Sequence, residues 1–131
     1  MRLRGKILAG AGVSAKKRRR AEGFGRTAES AAVWLLRAKG YRIVARRYRT
    51  PAGEIDIVAR RGRVLAAVEV KARVAAPDEV VTQRQRRRIA RALEAFVQYR
   101  PQFQGFTWRF DLIVVRPWQW PQHVVDAWRD V

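Results

Sequence analysis

Three side chains in one short stretch have the types and spacing for phosphate chemistry. They are Asp56, Glu69 and Lys71, within GEIDIVARRGRVLAAVEVKAR at residues 53–73. Ile55 and Ile57 alternate with Glu54 and Asp56, and Val64, Val68 and Val70 supply β-branched positions after a break at Arg61-Gly62-Arg63. That pattern predicts two strands and a tight turn. With Gly62 and Arg63 as the two turn residues, Asp56 lies across from Glu69 and Glu54 across from Lys71. Residues opposite one another in an antiparallel pair share a face, roughly 5 Å apart. A slip of one residue would separate Asp56 from Glu69 and Lys71.

Two carboxylates held that close repel, and either a proton or a cation must relieve them. Mg²⁺ or Mn²⁺ with oxygen ligands does so, since such ions take one or two carboxylates plus water and phosphate oxygens. Lys71, while charged, is no ligand. It can hold an attacking water or stabilise charge building on a phosphate. Glu29 has two readings: an exposed first-turn acid favoured by the helix dipole, or a third acid turned toward the metal.

The strands need supports. Residues 22–39 read as a helix with Phe24, Ala28, Ala31, Ala32, Leu35 and Leu36 on its apolar face and Gly40 as its stop. Residues 41–48 read as the first strand and Thr50-Pro51-Ala52-Gly53 as a turn. Residues 74–80 form a loop. Residues 82–99 form a second helix with Thr82 as N-cap and Ile89, Leu93, Phe96 and Val97 inward. Its first half carries Arg84, Gln85, Arg86, Arg87 and Arg88, suited to a phosphate backbone. Residues 107–116 read as a fourth strand in which Asp111 pairs at the surface with Arg109. In the tail, Val124, Val125 and Trp128 pack as a last strand or helical turn.

The chain has 131 residues, enough for one domain. It carries 29 Lys and Arg against 11 Asp and Glu, a formal charge of +18, which points to an acidic partner and first to nucleic acid. The absence of cysteine excludes disulfides and thiolate metal sites, and a single histidine excludes a histidine-cluster zinc site. No apolar run reaches the roughly 18–20 residues that span a bilayer, so the expectation is a cytoplasmic protein without a membrane partner. Residues 1–20 read as a basic flexible arm, with Lys16, Lys17, Arg18, Arg19 and Arg20 available to phosphates.

An acid, a short gap and then Glu-x-Lys on the next strand resembles the PD-(D/E)xK nuclease superfamily. More closely, the chain resembles the YraN-like family of predicted endonucleases. The matching pieces are Gly25-x-x-Ala28-Glu29 with Ala31-Ala32, Leu36 to Tyr41, Gly53-Glu54-Ile55-Asp56, Val68-Glu69-Val70-Lys71-x-Arg73, Val81-Thr82, Arg109-Phe110-Asp111 and Asp126-Ala127-Trp128. The resemblance implies an α/β, restriction-endonuclease-like core over residues 21–131. Its order is helix-strand-strand-strand-helix-strand, with a mixed central sheet flanked by helices. It also implies Asp56, Glu69, Glu29 and the carbonyl of Val70 around Mg²⁺ or Mn²⁺, with Lys71 beside them and Arg73 and the second helix on the substrate, DNA before RNA. Two positions depart from the family pattern: Gln85 stands where a lysine is usual, and Tyr48 where asparagine is. The competing expectation is a binding module that keeps the fold without the chemistry. A weaker one is an RNA-associated basic protein in which Asp56, Glu69 and Lys71 are only a structural ion pair. The sequence leaves the oligomeric state open, a dimer included.

Overall fold

A computed structural model describes residues 26–72 and 81–129. The basic arm with Lys16, Lys17, Arg18, Arg19 and Arg20, the start of the first helix with Phe24, and Arg73 with the loop after it all lie outside the described residues.

Among the described residues the architecture is α/β, with two α-helices and a five-stranded mixed sheet in the order β1-β2-β3-β4-β5. Helix α1 covers residues 26–38 and ends where the periodicity predicts. Gly40 takes φ 90°, Tyr41 N–H donates to Leu36 O (2.9 Å) and Gly40 N–H to Arg37 O (3.0 Å), the paired bonds that close a helix on a left-handed glycine. Strands β1 (Arg42–Thr50), β2 (Gly53–Arg61) and β3 (Val64–Ala72) form an antiparallel meander. Helix α2 (Gln83–Gln98) opens on a capping box in which Thr82 and Gln85 each bond the other's backbone N–H. A short 3₁₀ turn (Pro101–Phe103) leads into β4 (Thr107–Val115), which runs parallel to β3, and β5 (Gln122–Trp128) pairs antiparallel with β4.

The sheet separates two apolar layers. One joins Ile55, Val58, Leu65, Ala67, Phe110 and Leu112 to Ile89, Leu93 and Phe96 of α2. The other joins Ile57, Ala59, Ala66, Val68 and Ile113 to Ala28, Ala32, Val33 and Leu36 of α1. A sheet buried on both faces reads as a nearly unbroken apolar run, which is the pattern of IVV in β4 and VLAAV in β3.

Two expectations about the C-terminal part change. Asp111 is no surface partner. It is fully buried and accepts from Arg109 Nε (2.9 Å) and Nη2 (2.8 Å), His123 Nε2 (2.9 Å) and Asp126 N–H (3.0 Å). Burial alone would raise its pKa, but the bonds from His123, Arg109 and the Asp126 backbone overcome burial and hold the carboxyl at about 2. His123 sits between Asp111 and Lys39 Nζ, which is 2.6 Å from its Nδ1. Asp111 thus ties β4 to β5 at the bulge where Asp126 adopts φ 56°. Of the two readings of the tail, last strand or helical turn, the strand is the one formed, as β5. Only Trp128 of its predicted packing residues is inside, stacked on Phe110 at 5.7 Å, while Val124 and Val125 stay exposed on the edge strand.

Gly53 begins β2 beneath α2. A Cβ placed there would lie 2.1 Å from the Arg88 carbonyl oxygen and 2.6 Å from its carbon, so the absent side chain is what lets the helix backbone settle on the strand. Gly53→Ala must lift the N-terminal half of α2. We expect a loss of about 2–3 kcal/mol, measured as a lower urea midpoint, with a wild-type midpoint contradicting the close approach.

Candidate functional site

The hairpin between β2 and β3 has the predicted turn and register. Gly62 takes φ 61°, and the pairs run from Arg61 opposite Val64 to Ile57 opposite Val68. Beyond that the ladder stops. Val70 N–H donates to Asp56 Oδ2 at 2.8 Å rather than to a strand carbonyl. The Asp56 carboxylate therefore stands in the gap where the two strands part. Glu54 is consequently not the partner of Lys71. It is exposed and pairs with Arg49 Nε at 3.3 Å across β1. Lys71 instead reaches Glu69, two residues back on the same strand face, with Nζ 3.1 Å from Oε2 and both side chains mostly buried.

Glu54, Asp56 and Glu69 form the sheet wall of a cleft of about 190 Å³, and Gln85, Arg88 and Ile89 of α2 form the other wall. Of the predicted backbone-holding residues, Arg88 and Gln85 line this cleft, and Arg84 and Arg87 are exposed on the same helix. Arg86 is turned elsewhere. It is half-buried, with its guanidinium over Trp128 at 5.8 Å, where it packs rather than presents charge. Gln85 spends its Oε1 on the Thr82 N–H (3.0 Å), so its amide NH₂ is the part left to offer a ligand.

Glu29 is neither exposed nor gathered with the other two acids. It is 6% exposed and accepts from Arg46 Nη2 and Arg47 Nε, both at 3.0 Å. Its charge still reaches Asp56 and raises that carboxyl. The strand residues Arg46 and Arg47, the latter at φ 52°, are contributors the sequence reading missed. The available signal was two adjacent arginines in a strand following a helix with a lone acid.

Both cleft carboxyls hold their protons more tightly than free ones. Burial is the main cause for Asp56, partly offset by the Val70 N–H, and burial followed by the Asp56 charge pushes Glu69 up to about 7. Among the described residues no three acidic, histidine or cysteine side chains come together as a metal cage. The donor set is two desolvated carboxylates beside an open cleft. That fits a hard divalent cation completing its shell with water and substrate oxygens, and does not fit one enclosed wholly by protein.

Ionising Glu69 in the metal-free fold costs stability, because its proton affinity is higher folded than unfolded. Stability is then greatest below the unfolded value of 4.5 and falls as pH rises toward about 7. In chelator, we expect the unfolding free energy from urea titrations to drop between pH 4.5 and 7.5 by on the order of 2 kcal/mol. Glu69→Gln should flatten the profile, and an unchanged slope in that variant would count against the pairing.

The model of the uncharacterised protein family UPF0102 matches residues 28–115, which include α1 from Ala28 through β4. The chain is 53% identical over 108 residues to a UPF0102 protein of Parvibaculum lavamentivorans, covering 81% of each. It is 50% identical over 105 residues to one from Rhizobium meliloti, covering 79% of this chain and 86% of that one. A UPF0102 protein of Nitrobacter winogradskyi is 49% identical over 105 residues, 79% of this chain and 89% of its own length. With the match running through the hairpin, α2 and the cleft between them, the chain belongs to the UPF0102 family.

Proposed function

We propose that this protein is a metal-dependent nuclease of the restriction-endonuclease-like kind, hydrolysing phosphodiester bonds of nucleic acid, DNA in the first place. The observation that carries the reading is the convergence of Asp56 and Glu69 in one cleft walled by a basic helix, with Lys71 paired to Glu69. Mg²⁺ or Mn²⁺, when bound, supplies a lowered water pKa and neutralises phosphate charge. Asp56 and Glu69 would hold it, with the Val70 carbonyl as a further oxygen.

Asp56 is fixed for that task by the Val70 N–H. Lys71, now paired with Glu69, exchanges that contact for the attacking water and the phosphate oxygens. The new bond forms between water oxygen and phosphorus as the ester P–O bond opposite it breaks; the water's proton passes to solvent, and the departing oxygen takes one up from solvent. The Lys71 ammonium offsets the charge that gathers on the phosphoryl oxygens meanwhile. Arg88 and the Gln85 amide hold the scissile phosphate's neighbours, and exposed Arg84 and Arg87 extend the contact along the backbone. Glu29, bound to Arg46 and Arg47, acts from a distance as a positioning residue whose charge tunes Asp56.

The test is cleavage of labelled duplex, single-stranded and branched DNA by the full chain with Mn²⁺. Metal-dependent cleavage is expected, abolished by Asp56→Ala and reduced about 10²- to 10³-fold by Lys71→Ala. Equal cleavage by the Asp56→Ala protein, or none of any substrate, would leave only a nucleic-acid-binding module.

A further inference from the structure

Three exposed tryptophans, Trp34, Trp118 and Trp120, belong to helix α1 and to the turn after β4. Trp34 on α1 is 61% exposed and stacks on Trp120 with ring centroids 6.4 Å apart and planes 19° from parallel. Trp120 is 80% exposed, and Trp118, two residues earlier, is wholly in water. The turn that carries Trp118 is closed by Gln119 N–H donating to Arg116 O (3.4 Å), and places Trp118 at φ 62°, where glycine is the usual residue. The backbone thus holds an indole outward in a conformation that tryptophan disfavours. No acidic residue occurs between Leu112 and Val125, and the one acid of residues 26–38, Glu29, is buried and neutralised. Arg37 lies three residues beyond Trp34, on the same helix face, and Arg116 opens the turn.

The place of this face in the fold matters. Strands β3 and β4 are parallel, with Lys71 opposite Val114 and Ala72 opposite Val115. The tryptophan turn therefore leaves the sheet at the end where β3 delivers Glu69 and Lys71, one strand over. The cleft is on the α2 side and Trp34 on the α1 side, so a chain passing from one to the other crosses the ends of β3 and β4. The turn also lies beyond residues 28–115, so the family-wide match does not account for it.

We infer that Trp34, Trp118 and Trp120 form a stacking platform for unpaired bases, so that the substrate is a polynucleotide with a single-stranded arm beside the scissile bond. The inference rests on reading the cleft as a phosphodiester site and names the substrate class for it. Flat indoles accept any base by stacking, and the cationic, acid-free surroundings suit the accompanying phosphates. Duplex DNA presents its bases edge-on within a stack and has no face to offer such a surface.

The experiment uses the full chain in chelator, with a fluorescein-labelled 20-nucleotide dT strand and a blunt 20-base-pair duplex read by anisotropy. The dT strand is expected to quench indole fluorescence. Trp118→Ala, which removes no packing contact, should weaken dT binding roughly tenfold, and the Trp118→Ala/Trp120→Ala protein more. Duplex affinity should stay within about twofold in both. Undiminished dT affinity in the double variant overturns the platform and leaves the tryptophans to a protein partner. Asp56→Ala separates the two readings. If it cleaves like wild type while the tryptophan dependence holds, the nuclease reading fails and base stacking stands. If it loses cleavage while the double variant keeps full dT affinity, only the platform fails.

Discussion

The site depends on one hydrogen bond, from the Val70 backbone N–H to the Asp56 carboxylate. In a continuous hairpin that N–H would pair with a carbonyl of β2, and Asp56 and Glu69 would be two more side chains on a closed ladder. With the bond diverted to a side chain, the strands separate after Ile57 and Val68. The opening holds an acid and leaves room beside it. A buried amide must find an acceptor, so the carboxylate satisfies β3 while Asp56 also lines the cleft. The stability of the hairpin and the placement of the acid are therefore the same interaction.

Around that opening the structure sets burial against charge. Helix α2 comes close because Gly53 has no side chain, and its approach dries the cleft. Burial raises the proton affinity of Asp56 and Glu69, and the Glu29 charge adds to it at Asp56. Lys71 relieves Glu69 only in part. What remains is a deficit of positive charge at one point of a chain whose formal charge is +18. Positive side chains are abundant, yet of those on α2 only Arg88 lines the cleft, while Arg84 and Arg87 are exposed and Arg86 packs over Trp128. A small cation with oxygen preference matches two neighbouring carboxylates that border an open cleft.

The β2–β3 pairing, the turn at Gly62-Arg63, the end of α1 and the start of α2 were legible because each has a local cause: alternation, a positive-φ glycine, a Thr82 cap. The face shared by Asp56, Glu69 and Lys71 followed from the register alone. Other features depend on distant partners. Glu29 could be read as a solvated helix acid until β1 brought Arg46 and Arg47 to it. Asp111 looked like half of a surface pair because nothing local reveals that β5 will cover it and that His123 and the Asp126 N–H will complete its bonds. The expectation that Glu54 faces Lys71 failed for a different reason. It extended a regular ladder past the point where a side chain replaces a backbone acceptor, and periodicity carries no sign of that.

The central claim is that Asp56 and Glu69 together hold a divalent cation, and titration calorimetry of the full chain with Mn²⁺ tests it most directly. Wild type should take up Mn²⁺ with release of protons at pH 6.5, and both Asp56→Asn and Glu69→Gln should lose that uptake while remaining folded. No uptake by wild type, or the same affinity in both variants, would contradict the account.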